Sequence, residues 1–342
     1  MPKVSVIIPN YNHKAFLNQR IDSVLNQTIQ DIEIILLDDC SSDGSEEILE
    51  SYAQENPRIK YLPNEKNSGS PFHQWNKGVA LAKGEFIWIA ESDDYCESIL
   101  LEKLLALLEE NKNCGIAYCQ STLVNERGET INSYSENLKF IYKSDAWEND
   151  FIKKGCEANR DWLLYHNPIP NASGVLMRKE AFLNAGGADP KMKLNGDWFL
   201  YAKILCDWDL AFSSEHLNYF RVHDQTQRKR TFANYSIFKE IIHLNTFIRE
   251  NVDGAEENAD KAMIKVSGWW AGSIPAQKWN RTMIKGNREL YKTFKKYKAN
   301  ILFGIILIHI ITYLRNILIA LGLLKPLKKL RKQLFPGKYF EY

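Results

Sequence analysis

The chain runs to 342 residues, 45% hydrophobic and 25% charged, with only 18 Gly and 11 Pro, which excludes a disordered, collagenous or mucin-like chain and leaves room for a large domain plus an appendage. The net charge of +2 hides an asymmetry: from Lys285 to the end there are 13 Lys/Arg against 2 Asp/Glu, and before it 31 against 40. An acidic body without a basic stripe argues against nucleic acid as a partner, and a basic tail beside a long apolar run points to a membrane surface.

Val4–Pro9 opens the chain as an apolar strand, too short for a signal peptide and closed by Pro9. Leu17, Ile21, Val24 and Leu25 then recur at helical spacing. Ile32–Leu37 reads as the second strand. The turn Asp39-Cys-Ser-Ser-Asp-Gly44 follows, with Asp43 and Glu46 making a capping-box-like start for a helix over Glu46–Gln54. Strand Ile59–Leu62, helix Phe72–Ala82, strand Phe86–Ala90, helix Leu100–Leu108 and an extended Gly115–Val124 continue the alternation. That order predicts a mostly parallel sheet covered by helices, with ligands beyond the carboxyl ends of its strands. From about 130 to 225 the pattern is mixed: a turn-rich Asn167–Asn171, strand Ser173–Met177, helix Lys179–Asn184, helix Asp197–Cys206, and strands Trp208–Ser213 and Leu217–Val222. From 230 to about 298 the chain reads as helical. No GxGxxG follows the first strand, which argues against a dehydrogenase-type dinucleotide site, and no GxxxxGK[ST] occurs, which excludes a P-loop. Cys40, Cys96, Cys114, Cys119, Cys156 and Cys206 form no CxxC pair. They read as core fillers in a reducing compartment.

The polar residues directly after the strands are Asn10-Tyr11-Asn12, Asp38-Asp39 and Glu91-Ser92-Asp93-Asp94. Fold geometry alone gathers them at one edge. Adjacent carboxylates at a strand end repel, and holding them charged and close calls for a cation. Mg²⁺ or Mn²⁺, completed by substrate phosphate, suits such a site; the plain alternative is a solvated loop or a helix cap. Asp38-Asp39 can accept from a base or ribose, or simply close an Asx turn. Tyr11 offers a ring face to a nucleobase, or packs at the core rim.

Taken in order, Pro9-Asn-Tyr-Asn12, Asp38-Asp-Cys-Ser-Ser-Asp-Gly44, Asn67-Ser-Gly69 with Asn76-Lys-Gly78, Gly84-Glu-Phe-Ile-Trp-Ile-Ala90 and Glu91-Ser-Asp-Asp94 resemble the successive motifs of family 2 glycosyltransferases, over roughly residues 3–225. The resemblance implies an α/β fold of the GT-A type and transfer of a sugar from a nucleotide-diphosphate sugar. It implies nucleotide-sugar contacts at Pro9, Tyr11, Asp39, Asn67 and Asp93, and divalent metal at Asp93 and Asp94, with the direct ligand left open between them. Glu91 stands where an aspartate is common, and His73 and Gln74 occupy a stretch that usually carries a basic or polar residue near the nucleotide. Asn195-Gly-Asp197-Trp-Phe-Leu resembles the family's acid at a helix start, which makes Asp197 the general base of an inverting displacement; Asp is also a favoured N-cap. Tyr219-Phe-Arg221-Val-His223 resembles a downstream motif. Arg221 and His223, alternate residues on a strand, would touch diphosphate or metal, or mark an exposed strand end.

Ile301–Leu324 is mostly aliphatic, but Arg315-Asn316 falls mid-segment, and His309, Thr312 and Asn316 form a narrow polar stripe. An arginine at the bilayer centre costs at least ~2.5–3.5 kcal/mol, so a helix lying in the interface fits better than one that spans. Lys325, Lys328, Lys329, Arg331 and Lys332 follow it and suit anionic head groups; the bland alternative is packing on protein. The expected organisation is a GT-A catalytic domain over 1–228, a helical extension over 229–298 and an apolar-then-basic, membrane-associating segment over 299–342, peripheral at the cytoplasmic face. The expected activity is metal-dependent transfer to a glycan or lipid-linked acceptor in surface polysaccharide synthesis, with the oligomeric state open. A sugar-1-phosphate nucleotidyltransferase and an inactive nucleotide-sugar binder are the alternatives.

Overall fold

The structure, a computed structural model, describes residues 1–222, 235–274, 277, 280–300, 306, 310 and 314. His223 and most of the segment after Ala299 lie outside these residues. In chain order the elements are β1 (Val4–Asn10), α1 (Lys14–Leu25), β2 (Ile32–Asp38), α2 (Ser45–Glu55), β3 (Ile59–Pro63), α3 (Pro71–Leu81), β4 (Phe86–Ile89), β5 (Tyr95–Cys96), α4 (Leu100–Glu110) and β6 (Cys114–Val124). There follow β7 (Thr130–Ser133), α5 (Tyr134–Tyr142), β8 (Phe151–Lys153), α6 (Gly155–Ala158), β9 (Val175–Arg178), α7 (Lys179–Asn184), α8 (Gly196–Asp207) and β10 (Asp209–Arg221), then helices α9 (Ser236–Asn251), α10 (Glu256–Ser273) and α11 (Arg281–Phe294). The chain divides into two compact units, residues 1–230 with 240–262, and residues 231–239 with 263–342.

All seven residues of β1 are buried, as a strand that is apolar on both faces must be when helices cover both sides of its sheet. The sheet order is β3-β2-β1-β4-β9-β6-β10-β5. β1 runs parallel to β2 and β4, β2 to β3, and β6 to β10, while β9 is antiparallel to both β4 and β6. This is the mostly parallel, helix-flanked sheet that the alternation of elements predicts. Register sets Asn10 beside Asp38 and Ile7 beside Ile89, so the chain leaves β1, β2 and β4 at one edge. On one face Leu17, Ile21 and Val24 of α1 and Leu100, Leu101, Leu104, Leu105 and Leu108 of α4 join Val4, Val6, Ile8, Ile34 and Trp88 in a single core. Each such side chain contributes ~1.5–3 kcal/mol on burial, which makes this edge a rigid rim for the loops it carries.

The differences from expectation have local causes. The two strands expected at 208–222 are one strand, β10, whose register shifts between Ser213 and His216 and again before Asn218; an irregularity breaks period-two patterning and reads as a gap. The capping box at Asp43 does not form. Gly44 is the N-cap of α2 with φ +82, and Asp43 instead accepts from the Lys14 N–H and from the N–H and hydroxyl of Ser45. Cys96, Cys114 and Cys119 are buried, but Cys40 and Cys156 are exposed; Cys40 sits in a tight turn at φ +62 and is no core filler.

In the second unit α11 buries Met283, Gly286, Leu290 and Phe294. Its Asn287 accepts from the Trp270 indole at 2.7 Å and donates to Gln277 at 2.6 Å. The outward face carries Arg281, Lys285, Arg288 and Lys292, all exposed at i, i+4, i+7 and i+11, which is one side of a helix. Ile306, Ile310 and Leu314 are helical, at i, i+4 and i+8, with 50%, 50% and 53% of their surface exposed. Among the described residues no helix is long and apolar enough to cross a membrane.

Candidate functional site

A cleft of ≈ 420 Å³ opens where β1, β2 and β4 end. Pro9, Tyr11, Asp39, Asn67, Asp93, Asp94 and Asp197 all line it, so residues from five separate stretches of chain meet there.

One end is built around Asp39, directly after β2. Asn64 Nδ2, the Ser68 N–H and Gln74 Nε2 donate to Asp39 Oδ1 at 2.7–2.8 Å, and the Ser68 hydroxyl donates to Oδ2 at 2.9 Å. Asn67 Nδ2 donates to the Asp39 carbonyl and its Oδ1 accepts from Gly69 N–H; Gly69 takes φ +76, a conformation that favours glycine. The turn at 67–69 thus locks the Asp39 carboxylate. Asp38 faces inward instead, accepting from Asn10 Nδ2 and from the N–H and hydroxyl of Ser41. Asp39 is the cleft residue of the pair and Asp38 holds the loop. Tyr11 keeps 49% of its surface exposed, so its ring is available for stacking.

The acidic loop after β4 separates its members by role. Asp94 is buried. Its Oδ2 accepts from Asn171 Nδ2 and the Ser173 hydroxyl, and its Oδ1 from the Arg221 N–H. With three of about four lone-pair sites taken, Asp94 ties β10 and the 171–173 turn to the loop and is poorly placed as a metal ligand. Asp93 lines the cleft and is only partly buried. Burial, then the charges of Asp93 and Asp94, push the Glu91 carboxyl up to about 8, against the Trp75 indole that donates to it at 3.0 Å. Burial and Asp93 likewise hold Asp94 above the usual carboxylate range. The acids of this loop therefore disfavour one another's ionisation, and a cation placed among them would favour their charged forms.

Arg221 is a correction to the sequence reading. Its guanidinium does not line the cleft. It donates to the carbonyls of Asp93, Asn125 and Glu126 and to Gln19 Oε1 at 2.7–3.0 Å, and it stands 4.7 Å from the centre of the Phe16 ring. It braces the acidic loop from behind. Arg20, fully buried on α1, does the same through the Glu91 carbonyl at 2.9 Å. His223, the other residue of that motif, falls outside the described residues.

Asp197 is the second residue of α8, and the N-cap is Asn195, so Asp197 is not the cap that its residue type also suits. A Cβ at Gly196 would come within 2.4 Å of the Phe72 ring; only glycine lets α8 start this close to α3, and that closeness brings Asp197 to the cleft. Lys193 and Leu194 line the cleft beside it. Gln74, singled out in the sequence with His73 near the nucleotide, is the one that reaches Asp39, whereas Trp75, Asn171, Ser173 and Arg20 were missed, since their types are ordinary and their partners distant in the chain. His13, whose Nδ1 shares a 2.8 Å hydrogen bond with the Ser92 hydroxyl, was missed for the same reason.

Among the described residues no three His, Cys, Asp or Glu side chains form a metal cage by themselves. The donor set fits a different kind of site. Mg²⁺ and Mn²⁺ are commonly held by one or two carboxylates with substrate phosphates and water supplying the rest, and Asp93, which lines the cleft, provides that much.

Comparison with known proteins gives a consistent picture. Residues 5–184 match Glycosyl transferase family 2. The chain is 32% identical over 155 residues to a putative teichuronic acid biosynthesis glycosyltransferase of Bacillus subtilis, covering 45% of this chain and 60% of that protein. It is 34% identical over 152 residues to a GalNAc(5)-diNAcBac-PP-undecaprenol beta-1,3-glucosyltransferase of Campylobacter jejuni, covering 44% and 48%. The chain thus spans about half the length of the curated relatives it matches. Among solved structures, S. aureus TarS in complex with UDP-GlcNAc superposes with a TM-score of 0.59 at 19% identity, covering 78% of this chain and 72% of that one. A mannosyltransferase from Pyrobaculum calidifontis in complex with GDP-Man and Mn2+ gives 0.53 at 16%, covering 90% and 86%. These likenesses establish the GT-A architecture.

Proposed function

The chain belongs to glycosyl transferase family 2, and we propose that it moves one sugar from a nucleoside-diphosphate sugar to a hydroxyl of a glycan or lipid-linked glycan, with inversion at the anomeric carbon. The observation that carries this is the single cleft lined by the Tyr11 ring, Asp39, Asp93 and Asp197. Tyr11 and Asp39 take the base and ribose, while Pro9 and Asn67 shape the strand end and turn beneath them. Asp93 faces the diphosphate. The acceptor oxygen attacks the anomeric carbon from the face opposite the leaving group; as that bond forms, Asp197 takes the hydroxyl proton, the glycosyl–phosphate bond breaks, and its electron pair leaves on the nucleoside diphosphate. Asp93, with Mn²⁺ or Mg²⁺, would supply the charge that neutralises this leaving group. Binding tests the reading first: UDP or GDP with Mn²⁺ is expected to raise the thermal midpoint by several degrees, and neither to do so with chelator present. No stabilisation by any nucleotide in such a panel would defeat it.

The acceptor side of the proposal draws on relatives named for teichuronic acid synthesis and for an undecaprenol-linked glycan. A lipid-linked acceptor requires the enzyme to meet a bilayer, at the cytoplasmic face where nucleotide-sugars are made. The basic stripe Arg281, Lys285, Arg288 and Lys292 is suited to anionic head groups, each cation adding about 1 kcal/mol near the surface. The full chain is expected to co-sediment with vesicles rich in phosphatidylglycerol and not with purely zwitterionic ones. Lys285→Glu with Arg288→Glu and Lys292→Glu should remove most of that binding at 0.1 M salt while leaving nucleotide binding unchanged. Equal binding by wild type and variant would remove this face from the membrane contact.

A further inference from the structure

Glu240 lies on α9 and is buried. Its Oε1 accepts from the Lys193 N–H at 2.7 Å, and its Oε2 from the Leu194 N–H at 3.2 Å, the Asn195 N–H at 3.0 Å and Asn195 Nδ2 at 3.1 Å. Three successive backbone N–H groups converging on one carboxylate make an anion-holding nest, and here the protein supplies the anion itself. The residues so held run directly into Gly196-Asp197, and two of them, Lys193 and Leu194, line the cleft. Asn195 gives α8 no side-chain cap; its Nδ2 donates to Glu240. The grip continues one turn on: the Phe199 ring of α8 stands 4.9 Å from His243 and 5.3 Å from Phe247 of α9.

We propose that Glu240 is a positioning residue for sugar transfer: through the 193–195 loop it sets where Asp197 stands against the acceptor hydroxyl. The inference rests on Asp197 being the general base. The need for a carboxylate follows from the donor set. All four partners are N–H donors, and a carboxylate is acceptor-only, whereas a Gln at 240 turns one oxygen into an NH₂ that opposes them. Displacement of a catalytic group by about 1 Å can cost 10²-fold in rate. The Asp39 end of the cleft is held by Asn64, Ser68 and Gln74 and shares no partner with Glu240, so nucleotide binding should survive the change.

The test uses the full chain as Glu240→Gln, Asp197→Asn and the double variant, with Mn²⁺-dependent UDP and GDP binding measured beside nucleoside-diphosphate release from a panel of nucleotide-sugars. Glu240→Gln is expected to lower kcat tenfold or more, with donor KM and nucleotide affinity within twofold. In the Asp197→Asn background it should lower the residual rate by less than twofold, because a residue that acts through Asp197 has nothing left to position. The same loss in both backgrounds, or a donor KM that rises with the fall in kcat, would reduce Glu240 to a general structural role and overturn the proposal. If Glu240→Gln does not fold, Glu240→Asp, which keeps the charge on a shorter arm, and Asn195→Ala enter the same cycle under the same criteria. Asp197→Asn with near-normal transfer overturns the base assignment, and this proposal with it. A dead Asp197→Asn beside an unimpaired Glu240→Gln overturns the positioning role alone.

Discussion

Asn in place of Asp197 is expected to leave nucleotide-sugar affinity within about twofold and to lower transfer by 10²–10⁴-fold, the usual contribution of a general base; at 1.36 kcal/mol per decade this is ~3–5 kcal/mol of transition-state stabilisation. Asn has the shape of Asp and cannot take the proton. The other acids of the cleft are poor substitutes. Asp39 and Asp94 each accept three or more hydrogen bonds from within the protein, which spends their acceptor capacity. Glu91, pushed up to about 8 by burial and its acidic neighbours, holds its own proton at neutral pH. The backbone leading into Asp197 is specified by the Gly196–Phe72 contact and the 193–195 loop. The variant should keep its thermal stabilisation by nucleotide with Mn²⁺ while product formation stops. A rate within threefold of wild type would move the base elsewhere.

How much of this was legible in the sequence depends on how local each signal is. β1, β2 and β4 are continuous apolar runs ending in polar residues, so both the strands and the edge where the acids gather follow from reading along the chain. The register of Asn10 with Asp38 then needed only a parallel sheet. Arg221 shows the limit. Its resemblance to a downstream motif suggested a phosphate contact, but a guanidinium with five donors is satisfied wherever enough carbonyls converge, and Asn125 and Glu126 reach it from about 95 residues away. Asp93 and Asp94 are indistinguishable by type and adjacent in sequence; only the positions of Asn171, Ser173 and the Arg221 N–H divide them. Glu240 carries no motif, because what defines it is three backbone N–H groups, and backbone donors are the same at every residue but proline. The single strand β10 was misread for the opposite reason: its irregularity lies within one short polar stretch and mimics a loop.

Asp93→Asn makes the second large prediction, and it has opposite signs in two conditions. With UDP or GDP present, the Mn²⁺-dependent rise in thermal midpoint should vanish, because Asp93 is the cleft carboxylate whose neighbour Asp94 is already occupied by the protein. In metal-free buffer near pH 8 the variant should be more stable than wild type. Glu91 in the folded chain sits at about 8, above its ordinary value of ~4.3. Between those two values the folded state holds a proton that the unfolded chain has lost, so stability falls as pH rises through that window. Burial is the largest cause and survives the mutation; the Asp93 charge is the next and is removed. The Glu91 carboxyl then moves back toward the ordinary range, the window narrows from its upper end, and the loss of stability from pH 5 to 8 becomes shallower, by about 1.4 kcal/mol for each unit recovered. Thermal midpoints of both proteins across that range, with chelator and then with Mn²⁺ and nucleotide, read both effects from one set of samples. If the variant keeps its metal-linked shift, Asp93 is not a ligand. If its metal-free pH profile is unchanged, the acids of this loop do not share a common field, and the case for a cation among them loses its electrostatic basis.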